Sequence, residues 1–405
     1  MTTTAAAELE PGQAEIVRAT LPLVGAHIDE ITTEFYRRMF GRHPELLRNL
    51  FNRGNQAQGG QQRALAASIA TFATHLVNPE LPHPSELLSR IGHKHASLGV
   101  TAEQYPIVHE HLFAAIVEVL GADTVTAEVA AAWDRVYWIM ADTLIALERD
   151  LYRGAGVADG DVFRRLRVTA REDDPSGAVL LTVAADGIAT TAAAQYVSVG
   201  VTLPDGARQL RQYSLVNVPG ATELTFAVKP VEADGDHPAG EVSSWIRSRV
   251  RVGDLLDVTV PFGDLPEPRA GAPVVLISAG IGVTPMIGLL EYLVGQGHQA
   301  PVQVLHADRS EDSHPLRKRH RELVDILPGG SLQLWYAEGV DADTADIHRG
   351  LMNLDGVDIA DDAEIYLCGN TGFVQAVRAA LTARGVAQDR VHCELFSPND
   401  WLLDG

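Results

Sequence analysis

Apolar residues recur at helical spacing through the first third of the chain. Ile28, Thr32, Phe35, Tyr36, Met39 and Phe40 form one such stripe, and Leu112, Ala115, Ile116, Val119 and Leu120 another. Residues 133–152 continue as one long helical pattern that Gly154 and Gly156 close. After Val162 the period changes. Short β-rich runs occupy 163–170, 179–185, 195–203, 223–229 and 254–260, separated by the turn sequences Asp173-Asp-Pro-Ser-Gly177, Pro204-Asp-Gly206 and Val218-Pro-Gly220. Such spacing predicts an antiparallel barrel or sandwich, interrupted by a short helix over 241–249. Beyond a Pro- and Gly-rich loop at 263–273, strands at 274–278, 302–306, 332–336 and 364–367 alternate with helices ending near 294 and spanning 315–327 and 373–384. Alternation of that kind predicts a doubly wound parallel sheet. The expected order is an all-α domain over 1–153, an antiparallel β-barrel domain over 157–268 and an α/β domain with a parallel sheet over 271–405. No internal repeat or low-complexity tract interrupts it.

Charge removes several functions. Among 405 residues, 53 are acidic and 32 basic, a formal net charge of −21. Phosphate backbones and anionic lipid would repel such a chain, so neither nucleic acid nor a membrane surface is an expected partner. Cys368 and Cys393 are the two cysteines. Two thiols make neither a disulfide framework nor a Cys-based zinc site, and they fit a reducing compartment. No basic segment followed by an apolar one opens the sequence, so no signal peptide is expected and a cytoplasmic location is. The longest apolar stretch, 274–290, is broken by Gly280, Gly282 and Pro285. It reads as strand, turn and helix rather than a membrane span.

Two turns in the last third carry candidate chemistry. Ala279-Gly-Ile-Gly-Val-Thr-Pro285 joins a buried-type strand to a helix. Gly280 and Gly282 let the backbone approach a ligand, and the helix start that follows attracts phosphate. Thr284 is expected to cap that helix and Pro285 to lie in its first turn. Tyr366-Leu-Cys368-Gly369 ends a second strand before another helix start. Two glycine-bearing turns at strand carboxyl ends match a dinucleotide crevice. In the middle third, Arg211-Gln212-Tyr213-Ser214 places a guanidinium, an aromatic ring and a hydroxyl together, suited to a pyrophosphate and a stacked ring. Gly240-Glu-Val-Ser-Ser244 offers another helix start for an anion. Taken singly, each is equally a tight turn or an exposed strand face.

Histidine position discriminates in the helical third. Of its eight histidines, His95 shares an apolar stripe with Leu88, Ile91 and Leu98, whereas His93 lies between Ser89 and Ser97. An axial haem ligand needs an imidazole facing an apolar pocket, which selects His95. Tyr36 shares an apolar face with Thr32, Met39 and Phe40. A buried phenol left without a partner costs about 1–3 kcal/mol, and a haem-bound ligand would be such a partner.

Arg-x-Tyr-Ser, then Gly-x-Gly-x-Thr-Pro, then Tyr-Leu-Cys-Gly resembles the ferredoxin-NADP reductase-like flavoproteins over residues 157–405. Glu34-Phe-Tyr-Arg-Arg-Met-Phe40, His43-Pro-Glu-Leu46, Phe51-Asn52, Lys94-His95 and Glu103-Gln-Tyr-x-Ile-Val-x-Glu-His-Leu112 resemble a bacterial globin. The whole chain is similar to the flavohaemoglobins, which are nitric oxide dioxygenases. That resemblance implies haem b, FAD and NAD(P)H. It implies His95 as the iron ligand, Tyr105 and Glu148 as its hydrogen-bonded relay, and Tyr36 with Gln61 as a distal polar pair. Leu65 would form a distal wall, Phe51 would pack on the haem face and Lys94 would face the flavin. FAD would meet Tyr196, Arg211, Gln212, Tyr213, Ser214, Val242 and Ser243, and the tail Leu395, Phe396, Ser397 and Pro398. The nicotinamide nucleotide would meet Gly280, Ile281, Gly282, Val283, Thr284 and Pro285, with Cys368 and Gly369 beside the hydride path. Two positions depart from the family pattern: Ala193-Ala194-Gln195 stands where Pro-Gly-Gln is usual, and Leu395 where cysteine is. The implied activity is oxidation of NO by O₂ to nitrate. Reduction of peroxides or lipid hydroperoxides, or oxygen sensing, are the alternatives. Small molecules are the expected partners, and the chain is expected to be a monomer. Asp308-Arg309-Ser310 holds both an acid suited to a ribose hydroxyl and a cation suited to a 2′-phosphate, so use of both NADH and NADPH is expected.

Overall fold

The computed structural model describes residues 8–396, except residues 58, 82–86, 186, 189–191, 219, 234, 236 and 237. Helices α1 (Pro11–Ala26), α2 (Ile28–Arg42), α3 (Pro44–Asn49), α4 (Arg53–Ala57), α5 (Gly60–Val77), α6 (Ser89–Leu98), α7 (Tyr105–Leu120) and α8 (Ala127–Gly154) follow one another. Local chemistry sets their ends. Pro11 opens α1, the Thr126 hydroxyl accepts from the Val129 N–H at the start of α8, and left-handed Gly99 stops α6. Their apolar stripes close on one core that includes Ile31, Phe35, Met39, Phe72, Trp133 and Ile139. Helix α6 lies directly on α8. A Cβ on Gly92 would overlap the Leu147 side chain, so glycine there lets the two backbones approach.

Six strands follow: β1 (Phe163–Asp173), β2 (Val179–Ala184), β3 (Tyr196–Thr202), β4 (Arg208–Ser214), β5 (Glu223–Val228) and β6 (Leu255–Thr259), in the order β4-β3-β6-β1-β2-β5. The β1–β2, β1–β6, β2–β5 and β3–β6 pairs are antiparallel. A bridge between Leu215, just after β4, and Phe226 of β5 joins the two edges, so the sheet curls into a barrel. Closure removes the unpaired edges that an open sheet would expose. Helix α9 (Glu241–Arg249) occupies the span expected of it.

The last part holds β7 (Val274–Ala279), α10 (Val283–Gly295), β8 (Val302–Asp308), α11 (Arg317–Ile326), β9 (Gly330–Tyr336), β10 (Ile347–Arg349), β11 (Glu364–Gly369), α12 (Thr371–Ala383) and β12 (Val391–Leu395). All strand pairs in its sheet are parallel and the order is β10-β9-β8-β7-β11-β12. The order reverses between β7 and β11, and such a switch point opens a crevice at the strand carboxyl ends. Strands β10 and β12 were not expected from the sequence. The first is three residues long, and the second, Val391-His-Cys-Glu-Leu395, has no clean alternation.

Packing divides the chain into two units. One holds the residues up to Val162 with Gly206–Leu210, and the other holds Phe163–Asp205 and Arg211–Ser397. The second stays together because one apolar core runs from Ala193, Ala194 and Val216 of the barrel to Leu276, Met286 and Leu290.

Candidate functional site

Close packing of α6 on α8 sets the first site. Nδ1 of His95 lies 2.9 Å from Glu148 Oε1, and the Tyr105 hydroxyl donates to the same oxygen at 2.5 Å. The tyrosine oxygen is also 3.2 Å from His95 Nδ1. A carboxylate oxygen can only accept, so Nδ1 carries the proton and Nε2 holds the lone pair. Glu148 is buried, and its Oε2 has no partner among the described residues. Burial, and then Glu148, push the Tyr105 phenol far up, so it remains a donor. The Tyr137 hydroxyl donates to the Tyr105 carbonyl at 2.6 Å and braces the start of α7. Sequence reasoning missed Tyr137, although it shares the inward face of α8 with Leu144 and Glu148. Other histidines are engaged elsewhere: His109 Nε2 pairs with Asp134 at 2.7 Å, and the His43 ring meets buried His111.

Tyr36 is buried among Phe35, Phe40 and Phe51, with ring centroids at 4.7, 5.4 and 6.0 Å. Burial alone raises its phenol well above the usual range. Gln61 is not bonded to it. Instead Gln61 Oε1 accepts from Gln56 Nε2 at 2.6 Å. Leu65 packs on the same core, and Lys94 is half-buried on α6.

On β4, alternation sends Arg211 and Tyr213 to one face and Gln212 and Ser214 to the other. Tyr213 lies nearly parallel to Phe226 at 5.7 Å, and burial raises its phenol strongly. Gln212 Nε2 donates to Ser198 Oγ at 3.1 Å, and Ser214 is buried. Tyr196 exchanges backbone hydrogen bonds with Phe262 at 2.7 and 2.9 Å. Just before it, Ala194 has φ +54°, the left-handed backbone for which a glycine is the ordinary choice. Val242 is buried in α9. Ser243 Oγ donates to the Gly240 carbonyl and accepts from Val231 N, both at 3.3 Å, so its hydroxyl closes the first turn. Leu395 ends β12 and Phe396 is exposed, while Ser397 and Pro398 lie outside the described residues.

The carboxyl ends of β7 and β11 meet in register, Cys368 opposite Ser278. Gly280, Ile281 and Gly282 form a 3-10 turn with Gly280 at φ +55°. A Cβ on Gly282 would stand 2.6 Å from the Cys368 carbonyl oxygen and 2.9 Å from the Gly369 nitrogen. Only glycine lets the two turns touch. Thr284 does not cap the helix. Turning starts earlier, at Gly280, so Thr284 already lies inside α10 after Val283, and its hydroxyl donates to the Ile281 carbonyl at 2.9 Å. Pro285 is buried in the first turn, as expected. Asn370 caps α12 by accepting from Phe373 N–H at 2.9 Å. Asp308 Oδ1 accepts from the Arg309 N–H and the Ser313 hydroxyl, each at 2.6 Å, and its side chain is turned inward while Arg309 is exposed.

A helical unit that positions a histidine with a carboxylate and a phenol, continued by a barrel and a parallel-sheet crevice, defines a globin joined to a reductase. Residues 33–144 match the globin family and residues 276–379 the oxidoreductase NAD-binding domain. A flavohemoprotein of Chromobacterium violaceum is 40% identical over 94% of this chain and 96% of its own length. A flavohemoprotein of Bordetella pertussis is 39% identical over 96% and 98%. Among solved structures, the flavohemoglobin of Malassezia yamatoensis, described with bound FAD and heme, has a TM-score of 0.85 at 34% identity, over 96% of this chain and all of that one. The FAD/NAD-binding domain of a Vibrio cholerae nitric oxide dioxygenase is 33% identical, with a TM-score of 0.53, over 58% of this chain and 99% of that one. The chain belongs to the flavohemoprotein family.

Proposed function

We propose that this protein is an NAD(P)H-dependent nitric oxide dioxygenase that holds haem b at His95 and FAD on the barrel, and that removes NO in the cytoplasm. The residues fit both groups. His95 has one ring nitrogen held by a buried carboxylate and the other available to iron, and Tyr36 is a buried phenol that stays protonated and able to donate. Arg211, Tyr213 and Ser214 supply a cation, a ring and a hydroxyl from one strand. When bound, haem supplies an iron that binds O₂ and takes single electrons, and FAD converts a hydride into single electrons. Glu148 holds the Nδ1 proton of His95 and makes the imidazole a stronger electron donor. Tyr36, packed against Phe35, Phe40 and Phe51, would offer its hydroxyl as a hydrogen-bond donor to a ligand held at the haem. Gly280 leaves open space beside the backbone for a dinucleotide at the switch point, and Gly282 lets the two turns that would border it close on each other. Two NO and two O₂ consume one NAD(P)H and give two nitrate, one NAD(P)⁺ and one proton.

Joining the His95–Glu148–Tyr105 triad to a reductase on one chain is the observation that carries this reading. The helical unit also holds an apolar cavity of about 40 Å³. It is lined by Ile31, Ile69, Phe72, Leu112, Val136 and Met140 among others. Apolar cavities of this kind stay dry and take apolar guests. The test is stopped flow of NADH-reduced holoprotein against O₂ and NO. Two nitrate per NADH is expected, and nitrite or nitrous oxide as the main product overturns the reading. With Asp308 turned inward and Ser310 hydrogen-bonded to Ser313, exposed Arg309 is left to meet a 2′-phosphate, which supports use of NADPH beside NADH. Arg309→Ala should lower kcat/KM for NADPH and leave NADH unchanged. Equal changes for both nucleotides remove the role.

A further inference from the structure

Three buried histidines in the second unit take no part in the proposed reaction. His306 lies on β8, His314 in the loop before α11, and His320 on α11. His306 and His320 are fully buried and His314 is 2% exposed. One ligand nitrogen from each lies within 4.8 Å of the other two. His314 Nε2 and His320 Nδ1 are hydrogen-bonded to each other at 3.2 Å, a contact that a shared metal ion would replace. Zinc–nitrogen bonds of about 2.0–2.1 Å place two tetrahedral ligands about 3.3 Å apart, so this pair is already at ligand spacing.

Two further observations point inward. His306 Nε2 and Asp308 Oδ2 are buried, face each other at 3.8 Å, and have no hydrogen-bond partner among the described residues. Buried polar atoms left unpaired are uncommon and call for a ligand. On two of the three histidines the other ring nitrogen is braced, as in metal-bound histidines, whereas His320 Nε2 is buried without a hydrogen-bond partner among the described residues. His306 Nδ1 is 2.9 Å from the Ser278 hydroxyl, and His314 Nδ1 is 3.0 Å from the Tyr336 hydroxyl. Burial holds all three imidazoles below the usual histidine range, so protons do not compete for them near neutral pH. The Asp308 carboxylate brings the negative charge. Lys229, 4.0 Å from that carboxylate, and Arg321 near His314 and His320 oppose a cation, so a site of three imidazoles alone would be weak.

We propose that His306, His314, His320 and Asp308 bind one divalent transition-metal ion, of which zinc is the best match. Three imidazoles and one carboxylate suit zinc and its neighbours and not magnesium or calcium. The ion would tie the end of β8 to α11 and to the loop between them, beside the Asp308–Ser310 turn. It would also hold Asp308 inward.

The experiment uses haem- and FAD-loaded full-length protein. After treatment with a chelator and dialysis, Zn²⁺ is titrated against a chromophoric chelator. Bound zinc is counted by mass spectrometry, and its ligands by X-ray absorption at the zinc edge. Wild type should take up one zinc with sub-micromolar affinity, with nitrogen and oxygen ligands near 2.0 Å. His320→Gln should bind at least 100-fold more weakly, and Asp308→Asn about 10-fold. Full FAD occupancy and an unchanged Soret band in the variants show that they are folded. Where a variant does not fold, wild type decides through a rise in the reductase unfolding temperature on adding Zn²⁺. No stoichiometric zinc in wild type, or equal affinity in a folded His320→Gln, overturns the proposal.

Discussion

Glu148 shows how one buried atom sets a chemical property. Its Oε1 accepts hydrogen bonds from His95 Nδ1–H at 2.9 Å and from the Tyr105 hydroxyl at 2.5 Å. Glu148→Gln keeps an acceptor oxygen at that position, so both contacts can persist while the negative charge is lost. Haem content should stay near wild type, and single-turnover NO oxidation should slow about 10- to 100-fold, the usual range for removing such a partner. Unchanged rates of haem reduction and NO oxidation would falsify the role. The sequence favours His95 over His93 because an apolar stripe at 88, 91 and 98 is a pattern in one dimension, and the structure adds the contacts of His95 to Glu148 and Tyr105. The Glu148 contact was not legible from spacing, because 53 residues separate the partners, and it entered only through family resemblance. Thr284 misled for a local reason: a 3-10 turn at Gly280–Gly282 moves the helix start, and side-chain preference does not report that shift. Ala194 is the reverse case. Its departure from the family glycine is visible in the sequence, yet only the structure shows that it keeps the left-handed φ of +54°.

At the scale of elements, glycine placement and histidine burial have measurable consequences. Gly282 touches backbone, not a flexible side chain, so Gly282→Ala must push the ends of β7 and β11 apart. KM for NAD(P)H should rise at least 10-fold with the haem spectrum unchanged, and a wild-type KM would show that the crevice tolerates a methyl there. In metal-free protein, prepared with a chelator, the histidine trio on β8, its following loop and α11 predicts acid sensitivity. Burial lowers all three, His320 to about 3, against an unfolded value near 6.5. The folded state is neutral at these sites, so its stability is fully held above about pH 6.5. It is lost as the pH falls towards 3, because the unfolded chain takes up protons that the folded one refuses. Chemical denaturation at pH 7.0, 6.0 and 5.0, followed by FAD fluorescence, should show stability falling with a steepening slope, and a flat profile would contradict it. The sequence shows three histidines within fifteen residues, but not that a strand end, a loop and a helix fold them onto each other.

For the whole molecule, the two compact units imply that electron input and oxygen chemistry can be separated by one residue. The triad and Tyr36 lie in the first unit, and Arg211, the glycine turns and the shared core from Ala194 to Leu290 lie in the second. The order of the parts was legible because the hydrophobic period changes twice, from helical to alternating and then to strands interleaved with helices. The joining of barrel and parallel sheet into one unit was not, because it depends on which apolar faces meet. Arg211→Ala removes a cation from β4 without touching that core, so the second unit should remain folded. FAD should then leave on gel filtration while the Soret band survives. NAD(P)H-driven NO consumption should fall at least about 100-fold, equivalent to about 2.7 kcal/mol of barrier. Dithionite-reduced variant mixed with O₂ and NO should still give one nitrate per haem at the wild-type rate, because that reduction bypasses the flavin. A variant that loses both reactions would tie Arg211 to the fold of the whole chain. One that keeps FAD at full occupancy would make it a surface residue of the barrel.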